Sequence, residues 1–220
     1  MKHSLSALLG LMLSTASPAG ETARANLPVI TLTVRVHLVQ SETVPAMQTT
    51  LVDADIRRIF GKVNTIWAQA GIRLEIESVG PTRALELTPE MRLKPEMERV
   101  KSMIPKDRLS ADAIDVCYVK EVRPNGFYYG EPIVVKDTAS LKEVPGGLDE
   151  PLPRVTAHEI GHALGLRHRQ DTTNLMASGT TGFSLNEAEI ATAREKAQKR
   201  LKKQQATDEE LKTPVGPGAH

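Results

Sequence analysis

The chain has 220 residues, of which 40% are hydrophobic and 25% charged, and its formal net charge is +1. This composition is typical of a globular protein with room for one domain, and it excludes fibrous and disordered chains. The balanced charge argues against a dedicated nucleic-acid-binding protein, which usually carries a strong basic excess. Because the chain has one cysteine, it can form neither an internal disulfide nor a zinc module built on cysteines alone.

The first 25 residues have the pattern of a secretory signal peptide. Lys2 precedes the apolar run 5–13, and small residues follow it, as in segments that are removed during export. The run is shorter than the roughly 20 residues that a membrane-spanning helix needs. We predict cleavage after Ala16, Ala19 or Ala25, and an extracytoplasmic protein, secreted or periplasmic, without stable membrane insertion.

The next segment predicts a strand, a helix and a second strand. Hydrophobic residues alternate with polar ones from 30 to 39, which is typical of a half-buried strand. His37 falls on the polar face of this strand, where we expect it to be solvated. Apolar residues at three- and four-residue spacing from 56 to 70 predict an amphipathic helix that stops at Gly71. Alternation resumes at 72–76, and this order favours a parallel crossover.

The middle of the chain predicts further short elements. The charged segment 81–110 contains a predicted helix at about 95–103, and 114–122 predicts a third strand. Cys117 in that strand is interpreted as a small buried residue, because no base stands near it. A short strand follows whose flanking glycines and proline favour a position at the edge of the sheet; its residues are Ile133, Val134 and Val135.

Three of the six histidines lie within eleven residues. On a helix, His158 and His162 lie one turn apart on the same face and can hold one ion between their imidazoles. Glu159 is displaced by one residue, so it can reach a metal-bound water without being a ligand. Gly165 ends the helix where the chain must bend sharply, and the bend allows His168 to return as a third ligand. Three imidazoles leave the fourth tetrahedral position of zinc open to water, as in catalytic sites.

The specificity of this motif comes from its full length. The letters H-E-x-x-H alone occur by chance, and a helix with solvated or packed histidines could carry them. Five fixed residues over eleven positions arise accidentally in roughly one in ten thousand chains of this size. The sequence therefore predicts one catalytic Zn²⁺, whereas nothing in it supports a structural Ca²⁺.

With a methionine downstream, the motif 158–168 resembles the signature of the metzincin zinc endopeptidases, in which that methionine lies in a turn beneath the three histidines. Met176 stands at the position of this Met-turn. The spacing from His168 to Met176, with Asp171 between them, is most similar to the matrixin branch and its bacterial members. The resemblance implies an α+β fold with an α/β-like upper lobe. Its parts are a twisted mixed sheet with an antiparallel edge strand, a backing helix, an active-site helix, and a small irregular C-terminal subdomain that ends in a helix.

The chain departs from the matrixin pattern at several positions. Arg169 stands where matrixins commonly have serine, and Ser178 and Gly179 replace the proline and tyrosine that commonly follow the Met-turn. No tyrosine lies two residues beyond Met176, so a fifth zinc ligand is not supported. The lone cysteine excludes the four-cysteine second zinc site of archaemetzincins.

The resemblance also implies the reaction and the substrate. The expected activity is that of a zinc metalloendopeptidase, in which a zinc-bound water attacks the peptide bond and Glu159 acts as general base and then as acid. A protein or peptide substrate would lie along the edge strand Ile133, Val134 and Val135, with one side chain in a pocket walled by Ala177, Ser178, Gly179 and Thr180. Two alternatives remain, a hydrolase of a non-protein amide and a catalytically silent module that retains zinc. Glu159 argues against the second, because a pure binding site needs no base.

The C-terminal region predicts the end of the domain. The sequence from Ser184 to Glu187 has the form of a capping box, and a helix is predicted from there to about Lys203. We therefore predict a catalytic domain at 26–204 and a disordered tail at 205–220. The domain is expected to be a monomer, and the basic cluster in its last helix is interpreted as a solvated face.

Overall fold

The structure, a computed structural model, describes residues 27–212, and side chains as far as residue 205. The predicted signal peptide and the last eight residues of the predicted tail lie outside this part of the chain. The strands are β1 (Ile30–Gln40), β2 (Ile72–Arg83), β3 (Ile114–Val119), β4 (Gly126–Tyr128) and β5 (Ile133–Lys136). They form one sheet in the order β2-β1-β3-β5-β4.

The described helices are α1 (Asp53–Trp67), α2 (Pro89–Arg92), α3 (Glu96–Met103), α4 (Pro151–Ala163) and α5 (Glu187–Lys212). The predicted stop after the first long helix is confirmed, because Gly71 has a φ of +58°, in the left-handed region that glycine adopts without strain. The strands on either side of α1 pair in parallel, as the strand-helix-strand order predicts. No helix of the described residues is long and apolar enough to cross a membrane.

The sheet is mixed and ends in an antiparallel strand. β1 pairs in parallel with β2 and β3, and β3 with β5, whereas β4 runs antiparallel to β5 and forms the edge. This arrangement confirms the predicted fold class. The position predicted for Ile133, Val134 and Val135 is wrong, because these residues form β5, pair on both sides and are fully buried. The glycine and proline that suggested an edge lie in the turn between β4 and β5.

Both faces of the sheet are covered. On one face α1 and α4 pack through a large apolar cluster that includes Trp67 and Ile160. On the other face lies a second cluster, to which the charged segment 84–110 contributes Val100, Met103 and Ile104. Cys117 is fully buried in this second cluster, so its interpretation as a small buried residue is confirmed.

This second layer explains why the expectation of a solvated His37 is wrong. His37 is 6% exposed. Its Nε2 donates to Asp115 Oδ1 at 2.8 Å, and its Nδ1 lies 2.9 Å from Thr82 Oγ1. Ser110, at the end of the covering segment, donates its backbone N–H to Asp115 Oδ2 at 2.7 Å. The polar face of β1 is thus buried at His37, where both ring nitrogens have hydrogen-bond partners.

The last helix begins two residues later than its capping signature predicts. Asn186 and Glu189 form the capping box, since each side chain accepts the backbone N–H of the other at 3.0 and 2.9 Å. Ser184 instead donates its hydroxyl to the carbonyl of Thr173. The helix also continues to Lys212, beyond the predicted end at about Lys203 and into the predicted tail.

Candidate metal centre

Helix α4 carries the first part of the site and is buried on nearly all sides. It begins with Pro151 in its first turn, where the missing N–H costs nothing. The helix ends at Ala163, and Gly165 follows with a φ of +84°, a conformation that turns the chain sharply. After this turn His168 lies opposite His158 and His162.

The three histidines converge on one point through their Nε2 atoms. The Nε2 atom of His158 lies 3.1 Å from that of His162 and 3.2 Å from that of His168. The Nε2 atoms of His162 and His168 are 3.1 Å apart. His158 Nδ1 donates to the carbonyl of Leu175 at 2.8 Å, and His162 Nδ1 donates to that of Leu166 at 2.9 Å. Because these protons are on Nδ1, both Nε2 lone pairs point inward.

This geometry fits a zinc ion. Three ligand nitrogens at 2.0–2.1 Å from a tetrahedral centre are about 3.3 Å apart, close to the triangle observed. Burial lowers the pKa of His158 to about 3 and also lowers that of His162, so both rings stay neutral, as metal ligands must. Three converging lone pairs repel one another unless a cation lies between them.

Glu159 lies beside the triad and is 5% exposed. Burial raises the pKa of its carboxyl to about 8, and the nearby Arg154 opposes this shift. The side chain is close to β4: a Cβ on Gly126 would lie 2.9 Å from Glu159 Cγ and from Val155 Cγ1. The absence of a side chain at Gly126 therefore allows the edge strand to approach the carboxyl closely.

Met176 lies beneath the triad, fully buried, against Gly161 of α4. Its turn is held by Asn174, whose Oδ1 accepts the Met176 N–H at 2.7 Å and whose Nδ2 donates to Glu189 at 2.8 Å. Arg169 donates to the other oxygen of Glu189 at 2.8 Å. A buried methionine packed against the helix that carries two of the histidines is the arrangement that the Met-turn resemblance implies.

Comparison with known families agrees with this site. Residues 106–197, which include the three histidines, Glu159 and Met176, match the family model of the matrixins. The chain is thus similar to the matrixins over the segment that carries the site. Among solved structures it is similar to an archaemetzincin from Methanopyrus kandleri, with 14% identity, 78% of this chain and 96% of that chain covered, and a TM-score of 0.44. A zinc-dependent peptidase from Methanocorpusculum labreanum (strain Z) is 12% identical, with 74% and 99% covered and a TM-score of 0.36. No curated protein matches with significant similarity.

Two cavities adjoin the three histidines and share Pro124, Gly126, Glu159 and His168. The first, of about 200 Å³, extends towards Arg154 and the segment after Met176. The second, of about 460 Å³, lies on the side of His162 and is lined mainly by apolar and aromatic side chains: Met97, Phe127, Tyr128 and Tyr129.

Some of the predicted substrate-binding residues line a cavity, and the others are buried in the core. Ser178 and Gly179 are exposed and line the first cavity. Ala177 and Thr180 are buried, and Thr180 donates its hydroxyl to the carbonyl of Thr172, so neither lines a cavity. Ile133–Val135 lie inside the sheet, away from both cavities. The edge strand beside the site is β4.

Three residues of the site were not predicted from the sequence. Arg154 precedes His158 by one helical turn, and Asn174 and Glu189 brace the Met-turn. A position one turn before a ligand on a buried helix could have drawn attention to Arg154. The pairing of Asn174 with Glu189 depends on how the last helix packs, so no local pattern indicates it.

Replacing Gly161 with Ala is expected to destabilise the histidine site despite the better helix propensity of alanine. The added Cβ would lie 2.6 Å from Met176 Sδ, and Met176 is enclosed on all sides. Overpacking of this kind costs about 1–3 kcal/mol, more than the roughly 1 kcal/mol that alanine gains over glycine in a helix. Urea unfolding should show a net loss of stability, and zinc titration a weaker affinity.

Gly61→Ala is the matched control for this substitution. Gly61 is also within a helix, α1, but nothing lies within 4 Å of a Cβ placed there. Its substitution is expected to raise stability by about 0.5–1 kcal/mol. If both variants gained stability equally, the packing of Met176 against Gly161 would not constrain the site.

Proposed function

We propose that the chain is a zinc-dependent endopeptidase that hydrolyses internal peptide bonds with one Zn²⁺ held by His158, His162 and His168. The observation that carries this proposal is the triangle of Nε2 atoms, 3.1–3.2 Å on a side, next to a buried carboxyl. When bound, Zn²⁺ polarises the scissile carbonyl and lowers the pKa of a coordinated water towards neutrality. Histidine–carbonyl hydrogen bonds hold two of the rings in the orientation that this requires.

Glu159 is the residue that moves the proton. It follows His158 directly, so its carboxyl reaches the space in front of the triad without entering it. As general base it accepts the proton of the attacking water, and as general acid it delivers that proton to the leaving amine nitrogen. Burial raises its pKa, which favours a carboxyl that can hold the proton between these two steps at neutral pH.

The substrate of this reaction is an extended protein or peptide segment. β4 pairs with β5 along one side only, which leaves its other side for an added strand. Gly126 of β4 lines both cavities, so a peptide along this edge has neighbouring side chains on either side of Glu159. We also propose that the protein is exported through its N-terminal signal peptide and works as a monomer outside the cytoplasm.

The test is metal-dependent cleavage by the purified full chain. We expect one zinc per chain by atomic absorption and cleavage of a quenched peptide library at internal bonds. A chelator should abolish the cleavage, and stoichiometric zinc should restore it. Glu159→Ala is the control for a contaminating protease, since it should retain zinc and cleave nothing.

Other outcomes would contradict the proposal in distinct ways. A wild-type protein that holds zinc, cleaves no peptide and hydrolyses acetylated small amines would be an amide hydrolase of another class. A wild-type protein that holds zinc and hydrolyses neither kind of substrate would be a binding module. Cleavage by Glu159→Ala at the wild-type rate would show that another group is the base.

A further inference from the structure

Arg154 is a buried cation that forms no ion pair among the side chains described, residues 27–205. It is 2% exposed. Its Nε donates to the carbonyl of Gly182 at 2.9 Å, and its Nη2 donates to those of Asn174 at 3.3 Å and of Ala177. These three bonds tie α4 to the Met-turn and the segment after it. Glu159 interacts with this charge through space, but no carboxylate of the described side chains is hydrogen-bonded to the guanidinium, although a buried charge without such a partner is costly.

The third nitrogen of the guanidinium, Nη1, has no acceptor. Its one polar neighbour in the described part of the chain is Nδ1 of His158, at 3.3 Å. That nitrogen carries a proton, because it donates to the carbonyl of Leu175 at 2.8 Å and because Nε2 must be free to bind zinc. Arginine nitrogens are donors only, so this contact joins two donors and satisfies neither. The Nη1 donor of Arg154 therefore has no acceptor, although it lies beside the site.

Arg154 lines the cavity of about 200 Å³ that opens at the metal site. The other ionisable groups around this cavity are Glu159, His158 and His168. Glu159 contributes at most one negative charge, whereas Arg154 contributes one positive charge and a bound zinc ion two. The cavity is thus cationic and accepts side chains of limited size.

We propose that this cavity binds an acidic side chain of the substrate, aspartate or glutamate, next to the scissile bond, with the Arg154 guanidinium as its partner. A carboxylate there would supply the acceptor that Nη1 lacks and the counter-charge that the buried cation lacks. The larger cavity on the other side of Glu159 is lined by aromatic and aliphatic groups and offers no such partner. The inference rests on the proposed peptidase function and names the class of peptide that the site selects.

The first test uses the wild-type, zinc-loaded full chain and three peptides that differ at one position beside the cut, with Glu, Gln or Leu. We expect kcat/KM for the Glu peptide to exceed that for the isosteric Gln peptide about tenfold or more, since hydrogen bonds to a charged acceptor are about twice as strong as neutral ones. Replacing Gln with Glu on the other side of the scissile bond should not raise kcat/KM. Equal cleavage of the three peptides on both sides would overturn the inference.

The second test measures binding without turnover. With zinc-loaded Glu159→Gln, calorimetry of the uncleaved peptides should give a Kd for the Glu peptide at least about tenfold below that for the Gln peptide. Introducing Arg154→Met should reduce this ratio to about one, whereas Arg154→Lys should retain part of it because the charge remains. Zinc content and melting curves verify that each variant is folded, and if neither folds, the wild-type comparison decides.

The two proposals fail differently. If wild type cleaves peptides without preferring an acid, the peptidase function stands and the role of Arg154 as a specificity residue falls. If no peptide is cleaved, the peptidase function falls. The calorimetric Glu/Gln ratio then decides whether the cavity is a carboxylate site, and a ratio of one overturns the inference.

Discussion

Glu159→Gln is expected to lower kcat for peptide hydrolysis by about 10²- to 10⁴-fold, the usual contribution of a positioned general base. Glutamine has nearly the same shape as glutamate, so the site should keep its packing against Gly126 and its zinc. The substitution should affect kcat more than KM, because the carboxyl takes part in proton transfer during the reaction and is not needed for the peptide to bind along β4. Steady-state kinetics with parallel zinc analysis separates these effects.

The same substitution should make the metal-free protein more stable above neutral pH. In the metal-free native state the Glu159 carboxyl keeps its proton up to about pH 8, whereas the unfolded chain releases it near the ordinary value of 4.5. Between these values the native state binds more protons, so stability falls as the pH rises. The slope for one proton is at most about 1.4 kcal/mol per pH unit, and a glutamine side chain, which does not titrate, cannot contribute it.

Urea unfolding of both chelator-treated proteins at pH 6.5 and pH 8 measures this difference. His158 has the opposite slope, because burial lowers its pKa to about 3 and the unfolded state binds the extra proton below pH 6.5. This contribution decreases above pH 6.5, and because both proteins share it, it cancels in the comparison between them. The free energy of unfolding of the variant, relative to that of the wild type, should therefore be higher at pH 8 than at pH 6.5. Parallel pH profiles would show that the carboxyl is ionised throughout.

The histidine motif could be predicted from the sequence because its geometry is local. Two ligands one turn apart and a glycine bend depend only on helix dimensions and on the backbone freedom of Gly165. The structure brings His158, His162 and His168 together as this spacing indicates. The parallel crossover could be predicted for the same reason, since a strand, helix and strand in succession leave few connections.

The features that could not be predicted depend on which parts of the chain pack against each face of the sheet. Alternation with a period of two identifies the apolar face of β1. It cannot show that His37, on the other face, is buried in the layer to which the segment 84–110 contributes. The position of a strand within a sheet is likewise non-local, so β5 has the turn residues of an edge strand and lies inside. Arg154 was missed because its partners are carbonyls of a loop at least 20 residues later.

Asp115→Ala is expected to be among the most destabilising single substitutions, because it removes the acceptor of one buried and one partly buried donor. The carboxylate accepts from His37 Nε2 at 2.8 Å and from the Ser110 N–H at 2.7 Å, and Asp115 is fully buried. A buried donor left without a partner costs about 1–3 kcal/mol, so His37 alone accounts for that loss, and the partly buried Ser110 N–H adds at most as much. This is comparable with the roughly 5–15 kcal/mol that holds a typical domain folded.

Asp115→Asn distinguishes the loss of an acceptor from the loss of volume or charge. The amide oxygen can still accept from Ser110, and the amide N–H can donate to His37 Nε2 if the ring moves its proton to Nδ1 and donates to Thr82 Oγ1, 2.9 Å away. Urea unfolding should therefore show a loss at least about 1 kcal/mol smaller than that of Asp115→Ala. Thr82→Val removes the group that this tautomer needs, so in its background the Asn variant should become as unstable as the Ala variant. If Asn and Ala cost the same with Thr82 present, the hydrogen bonds of His37 do not hold β1 to the covering segment.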